Sequence, residues 1–146
     1  LVVHTSDLPK GKGFAPLQYQ ILRNKNKVYM SLIKAVKKVD AGPIYFQKSF
    51  MLNGTELCNE IRNIQGIQFL KIIKKFLIKY PNIKSKNQIG KSSFNRRRFP
   101  KDSKLDINKS LKQQFNHIRI NDNEIYPSFF YYKGQKYIIK VYKEKK

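Results

Sequence analysis

The chain has 146 residues, 40% hydrophobic and 13% aromatic, which suffices for one packed domain with a small appendage and excludes wholesale disorder. Its 31 Lys and Arg against 9 Asp and Glu give a net charge of +22, which is typical of proteins that bind nucleic acid. Because Lys, Ile and Asn dominate the composition, as in chains from AT-rich genomes, we favour genome bias with a small anionic ligand over a nucleic-acid surface.

A single cysteine, Cys58, excludes an internal disulfide and a cysteine metal site. We therefore expect no metal and a reducing, cytoplasmic compartment. The apolar runs fall short of the roughly 18–20 residues that a membrane span needs, so no membrane is expected.

The first predicted strand covers residues 1–4, and a loop rich in Gly, Pro and Lys follows to residue 16. This pattern is typical of a buried parallel strand that ends at an active-site edge. A short helix is predicted over 16–23 because Pro16 suits a first helical turn. Strands are predicted over 28–33 and 44–52, with a tight turn over 39–43 between them. The alternation predicts an α/β fold.

A long helix is predicted from 53–56 to Tyr80, where Pro81 ends it. Asn53 or Thr55 can cap it, and Asn53 with Glu56 has capping-box spacing. Its apolar residues recur at helical intervals and predict one stripe that packs on the sheet: Leu57, Ile61, Ile64, Ile67, Leu70, Ile73, Leu77 and Tyr80.

The remaining chain predicts a small second unit. Residues 82–93 lack periodicity and indicate a loop, and 94–100 form a basic cluster bracketed by aromatics. A helix is predicted from Asp106 to Arg119, and a β-hairpin from 129–132 and 136–142. The helix would present one apolar face of Ile107, Leu111, Phe115 and Ile118. We predict two units, 1–88 and 89–146.

His4 and Asp40 are the candidate catalytic residues. His4 ends a strand, and histidine can act as a base or as a hydrogen-bond donor near neutral pH. Asp40 lies 36 residues later in the Gly-bounded turn. In a parallel sheet the carboxyl ends of neighbouring strands converge, so the carboxylate could meet and orient the imidazole. Gly11 and Gly13 would let the loop backbone approach a ligand.

The pattern His4-x-Ser6-x-Leu8-Pro9-x-x-Lys12-Gly13, followed by Val39-Asp40-x-Gly42, resembles the signature of the folate-dependent formyltransferases. The resemblance implies transfer of a formyl group from 10-formyltetrahydrofolate to an amine, with His4 and Asp40 catalytic. It also implies folate contacts from Ser6, Leu8, Pro9, Gly11 and Gly13. The chain would then be the C-terminal half of a Rossmann-like catalytic domain, lacking the N-terminal half, followed by a small α+β extension of one helix and a hairpin.

One position departs from this family. The family usually carries an Asn two residues before the histidine, where its amide helps to hold the tetrahedral oxygen. Here that residue is Val2, whose side chain cannot donate a hydrogen bond.

The resemblance leaves three functions open. A nucleotide-linked amino sugar is the favoured acceptor, because the tail is too short for the β-barrel of methionyl-tRNA formyltransferases. Charged tRNA is the second acceptor, and a non-catalytic basic binding module is the third alternative. Arg96, Arg97 and Arg98 are candidate contacts to the acceptor's pyrophosphate, and Tyr126, Phe129 and Tyr131 to its base. The alternative interpretation is that these residues form a solvated basic cluster and the core of the hairpin. Homodimer formation is left open.

Overall fold

A computed structural model describes residues 1–144 of the chain as a mixed α/β fold. A three-stranded sheet in the order β1-β3-β4 forms its centre, and two short two-stranded pairings, β2-β5 and β6-β7, lie outside it. The elements in chain order are β1 (Val2–His4), β2 (Lys12–Gly13), α1 (Pro16–Leu22), β3 (Lys27–Ile33), β4 (Ile44–Met51), α2 (Cys58–Lys79), β5 (Phe94–Asn95), α3 (Phe115–Arg119), β6 (Ser128–Tyr132) and β7 (Gln135–Ile139).

The strand and helix predictions for residues 1–52 are confirmed in position, but the parallel pairing is wrong. β1 and β3 are antiparallel, with Val2 opposite Ile33 and His4 opposite Ser31. β3 and β4 are antiparallel as well. The reason is that α1 and the turn after it return the chain to the end of the sheet where β1 finishes. Composition and loop pattern do not encode that return.

The core lies between the sheet, α1 and α2. It consists of Leu17, Ile21, Val28, Met30, Leu32, Phe50, Leu52, Ile61, Ile72, Phe76 and Ile120. Burial alternates only along the first residues of β3, and Met30 to Ile33 are all buried, so the second half of this strand is covered on both faces.

Helix α2 ends at Lys79, as predicted from Pro81, but it begins at Cys58 rather than within 53–56. The Glu56 carboxylate accepts the backbone N–H groups of Asn53 and Gly54. The hydrogen bond from the Asn53 N–H to Glu56 that the capping box predicts is therefore present, but it closes a turn that precedes the helix. Glu60 then accepts the backbone N–H of Leu57 at the helix start.

Only part of the predicted stripe on α2 packs at the core. Ile61 is buried there and Ile64 and Ile73 pack against it, whereas Ile67, Leu70 and Leu77 are 52%, 70% and 64% exposed. The buried residues of the whole helix are Cys58, Ile61, Ile72 and Phe76. The predicted positions step mostly by three residues, and such a series rotates away from a face that repeats every 3.6 residues. The packed face follows a different set of apolar residues.

Of the helix predicted over 106–119, only α3 (Phe115–Arg119) is helical, so most of that prediction is wrong. The Asp106 carboxylate does accept a backbone N–H, that of Asn108, but it closes a turn and no helix follows from it. Ile107 and Leu111 are exposed in consequence. The hairpin is confirmed as β6 and β7, although its second strand ends at Ile139.

Residues from both predicted units contact one another. β2, in the first unit, pairs in parallel with β5, in the second. Within the first unit, Ile44 exchanges backbone hydrogen bonds with Lys86. The loop predicted over 82–93 is thus held along the sheet, and the boundary at residue 88 stays a prediction. Within residues 1–144, no helix is long and apolar enough to cross a membrane.

Candidate functional site

His4 lies at the end of β1 and is largely buried. Its Nε2 atom is 2.8 Å from the carbonyl oxygen of Gly11, and its Nδ1 atom is 3.4 Å from Oδ1 of Asp40. Both neighbours are oxygens that can only accept a hydrogen bond. The ring therefore lies between two oxygen acceptors, the Gly11 carbonyl of the opening loop and the Asp40 carboxylate.

Asp40 is presented by the connection between β3 and β4. This connection leaves the sheet at Ile33, opposite Val2, and folds back so that the carboxylate reaches His4. The second carboxylate oxygen, Oδ2, accepts the backbone N–H of Gly13 at 2.8 Å. Asp40 thus joins the histidine to the opening loop, and it does so from a left-handed backbone conformation with φ +50°.

Val2 borders the same site. A small cavity of about 60 Å³ lies between Val2, Asp40 and Gly42. The residue two positions before His4 therefore shares a cavity with Asp40. Its side chain is apolar and offers no hydrogen-bond donor, whereas Lys34 and Lys38 line the same cavity.

The two loop glycines contact the chain itself. Gly13 has φ +88°, and a Cβ there would lie 2.5 Å from the carbonyl oxygen of Asn95. Gly11 has φ +73°, and its N–H donates to Ser93 Oγ at 2.9 Å. The close approach that glycine permits is therefore made to residues 93–95. Contact of these glycines with a folate stays a prediction.

The other predicted folate contacts lie in the same loop. Ser6 and Leu8 are buried, and their backbone carbonyls accept hydrogen bonds from Ser31 and Gln47. Pro9 accepts one from the backbone of residue 93. Among residues 1–144, the buried Ser6 Oγ atom has no hydrogen-bond partner. This loop is shaped mainly by contacts within the protein.

Arg96 forms an ion pair with Asp102, and its contact with an acceptor stays a prediction. Its guanidinium contacts both carboxylate oxygens of Asp102, with Nη1 2.8 Å from Oδ2. The guanidinium holds the pKa of the Asp102 carboxyl well below its usual range, mainly through these hydrogen bonds. Reciprocally, Asp102 raises the pKa of Arg96.

Arg97 and Tyr126 do come together. They line one cavity of about 200 Å³ with Arg98 and the rings of Phe14 and Phe99. Phe129, in contrast, is only 7% exposed, and its ring packs against that of Tyr131. Burial of Phe129 fits the alternative interpretation of it as hairpin core.

Sequence reasoning missed Gln88, which contacts the Asp40 turn from the loop over 82–93. No local signal marks this residue. Arg98, a member of the predicted Arg96–Arg98 run, is a half-buried wall of the larger cavity. Burial lowers the pKa of Arg98 relative to a free arginine, and Asp102 opposes that effect. Within the described residues, no cluster of three or more His, Cys, Asp or Glu is placed to hold a metal ion.

Comparison with known sequences finds formyltransferases. The methionyl-tRNA formyltransferases of Mesoplasma florum and Mycoplasma genitalium are 32% and 31% identical to the chain, each over 80% of its residues and 38% of their own length. That of Ureaplasma parvum is 36% identical over 52% of the chain and 28% of its own length. The chain thus spans less than two fifths of these curated relatives. No protein-family model matches it.

Solved structures agree. The methionyl-tRNA formyltransferase from Clostridium thermocellum matches 92% of the chain and 59% of its own length, with a TM-score of 0.78 and 26% identity. A sugar N-formyltransferase from Shewanella matches 97% of the chain and 60% of its own, with a TM-score of 0.74. At 20% identity the second match shows the fold alone.

Proposed function

Since this chain is related to the formyltransferases, we propose that the protein transfers a formyl group from 10-formyltetrahydrofolate to the amine of an acceptor, and that residues 1–88 are the C-terminal half of its Rossmann-like catalytic domain. The observation that carries the proposal is the contact between His4 and Asp40, with the same carboxylate bound to the Gly13 N–H. A histidine with an orienting carboxylate is the arrangement that this chemistry needs.

The transfer has a simple balance. A bond forms between the acceptor nitrogen and the formyl carbon, and the bond between that carbon and the folate nitrogen breaks. One proton leaves the acceptor nitrogen, and one is gained by the folate nitrogen. The negative charge that develops on the formyl oxygen in between needs a hydrogen-bond donor.

We propose that His4 supplies this donor. Its Nε2 atom faces the Gly11 carbonyl oxygen, an acceptor, and so carries a hydrogen in this arrangement. A formyl oxygen in the place of the Gly11 carbonyl oxygen would accept a hydrogen bond from the same Nε2–H group. Asp40 would hold the ring orientation through Nδ1 and compensate positive charge on it. Direct proton abstraction by His4 would require the Gly11 contact to open first.

The cavity at the candidate catalytic carboxylate is too small to hold a folate. The cavity beside Val2 and Asp40 measures about 60 Å³, whereas pockets for ligands of this class usually measure at least about 300 Å³. We therefore expect that the 146-residue chain alone binds folate weakly. Micromolar affinity, measured by calorimetry, would contradict this expectation.

The acceptor that we propose is a nucleotide-linked amino sugar. The cavity lined by Arg97, Arg98 and Tyr126 combines two guanidinium groups with aromatic rings. Guanidinium groups suit a pyrophosphate, and rings suit a base.

Methionyl-tRNA is a second candidate acceptor. The curated relatives named above are methionyl-tRNA formyltransferases, and a net charge of +22 favours a polyanionic substrate. A non-catalytic module is the third candidate, which Val2 favours because it removes a side-chain donor at the site.

An acceptor screen tests these alternatives. The intact natural protein is incubated with 10-formyltetrahydrofolate and either nucleotide-linked amino sugars or charged initiator tRNA, and formylated product is measured by mass spectrometry. Product with a sugar nucleotide supports our proposal, and product with tRNA alone supports the second candidate. Absence of any product, while folate binds, would favour the non-catalytic module.

A further inference from the structure

Gln88 bridges two carbonyl groups of the turn that carries Asp40. Its Nε2 atom donates to the backbone oxygen of Asp40 at 2.7 Å and to that of Gly42 at 2.9 Å. One amide group thus contacts the turn on both sides of Ala41. One of these carbonyls belongs to the candidate catalytic residue Asp40 itself.

The backbone that Gln88 holds is an unfavourable one. Asp40 has φ +50°, a left-handed conformation that is uncommon outside glycine, although aspartate adopts it more readily than most residues. Next to it, Gly42 lies so close to Lys34 that a Cβ would be 1.7 Å from the Lys34 carbonyl oxygen. Such a conformation persists only where surrounding contacts impose it. Gln88 supplies two of those contacts.

Gln88 itself is fixed by the sheet. Two residues before it, Lys86 exchanges two backbone hydrogen bonds with Ile44, at 2.7 and 2.8 Å. Ile44 is the first residue of β4, directly after the turn. The segment that carries Gln88 therefore has a defined register relative to the turn.

The orientation of the Gln88 amide follows from its neighbours. Asp40 and Gly42 both present acceptors, so the nitrogen must face them. The amide oxygen is buried, and among the described residues it has no hydrogen-bond partner. Leaving a buried acceptor unpaired costs stability. Gln88 thus makes both hydrogen bonds to the turn although its amide oxygen stays unpaired.

We propose that Gln88 is a positioning residue that holds Asp40 against His4 and Gly13. The catalytic role of Gln88 rests on the proposed function, but its effect on the position of Asp40 can be measured without an activity assay. Because Gln88 touches only the backbone of the turn, it acts on the reaction through Asp40. Loss of its two hydrogen bonds should release the turn, lengthen the distance from Asp40 to His4, and expose the Gly13 N–H.

The experiment uses the 146-residue chain, labelled with ¹⁵N. Gln88→Met keeps the side-chain volume and removes both donors, and Gln88→Glu places a carboxylate against the two carbonyls. Hydrogen exchange of the Gly13 amide and the ¹⁵N shifts of the His4 ring are measured by NMR. Gln65→Ala is the matched control, because Gln65 bonds to Thr5 Oγ1 beside His4 and makes no hydrogen bond to the turn.

We expect the Gly13 amide to exchange roughly tenfold faster in Gln88→Met, and faster still in Gln88→Glu, as two hydrogen bonds are lost. The His4 ring shifts should change in both variants, and both readouts should stay unchanged in Gln65→Ala. Unchanged exchange and shifts in both folded Gln88 variants would overturn the proposal, whether or not the protein transfers formyl groups.

Activity separates this proposal from the proposed function. If the intact protein transfers formyl groups, Gln88→Met should lower kcat more than it raises the KM for the acceptor. If it transfers none to any acceptor while the Gly13 and His4 signals respond, Gln88 positions Asp40 as inferred and the proposed function fails instead.

Discussion

Asp40 and His4 contact each other across an antiparallel sheet, with Nδ1 of the histidine 3.4 Å from Oδ1 of the carboxylate. The two residues are 36 positions apart in the chain. Their contact depends on the connection between β3 and β4 folding back along β1. The Gly13 N–H, bound to the other carboxylate oxygen at 2.8 Å, fixes the carboxylate in that place.

Removal of either member of this pair should abolish formyl transfer by the intact protein. We expect His4→Ala and Asp40→Asn to lower kcat by roughly 10²–10⁴-fold, since a positioned acid–base group contributes about that much. Turnover is measured with saturating formyl donor, and circular dichroism checks that each variant is folded. Wild-type turnover in both variants would refute their assignment.

Val2→Asn should raise the activity. An amide two residues before His4 could donate to the developing oxyanion, and one such donor is worth about 10²–10³-fold in kcat. Because an introduced group is not optimally placed, we expect a gain of at least about tenfold. Val2→Leu is the control and should give no gain. An Asn variant no faster than the Leu variant would show that this wall of the cavity does not face the reacting oxygen.

Removal of one partner of the buried Arg119–Glu56 ion pair should be strongly destabilising. Arg119 is fully buried, and its Nη1 atom lies 3.3 Å from Glu56 Oε2. Arg119→Met leaves the carboxylate without its cation, which should cost about 3 kcal/mol or more of unfolding free energy. The equivalent change at the exposed Arg62, paired with Asp122, should cost less than about 1 kcal/mol. Urea unfolding of both variants checks the difference, and equal losses would contradict it.

The Arg96–Asp102 pair should make stability depend on acid pH. The pKa of Asp102 is lowered in the folded protein, chiefly by hydrogen bonds from Arg96. A lowered folded pKa means that the stabilisation is present above the unfolded value, about 3.9, and is lost as the pH falls below it.

Asp102→Asn should therefore be less stable than wild type at pH 7 but lose less stability between pH 5 and pH 2. Urea midpoints at both ends of this range give the comparison. Parallel pH profiles for the two proteins would mean that Asp102 does not titrate below its usual range.

Two glycines should respond to alanine with opposite signs. In Gly42→Ala the new Cβ would meet the Lys34 carbonyl oxygen at 1.7 Å, whereas at Gly66, within α2, no atom lies within 4 Å. We expect Gly42→Ala to cost roughly 2–3 kcal/mol and Gly66→Ala to stabilise by about 1 kcal/mol. Thermal unfolding measures both changes. Stabilisation by Gly42→Ala would mean that the turn relaxes away from Lys34.

The sequence by itself determined the local elements and the pair of candidate residues. Pro16 and Pro81 mark a helix start and a helix end because proline cannot donate a backbone hydrogen bond. Apolar and β-branched runs place β3 and β4, since side chains alternate along a strand. The spacing of His4 and Asp40 within a family pattern predicted their contact.

Only the tertiary structure decided how distant segments pair. The direction of β3 relative to β1, the apolar face that α2 buries, and the pairing of β2 with β5 all depend on contacts between residues far apart in the chain. Local periodicity carries no information on such contacts. Gln88 is the sharpest case, because nothing in residues 82–93 distinguishes it until its amide meets the carbonyls of Asp40 and Gly42.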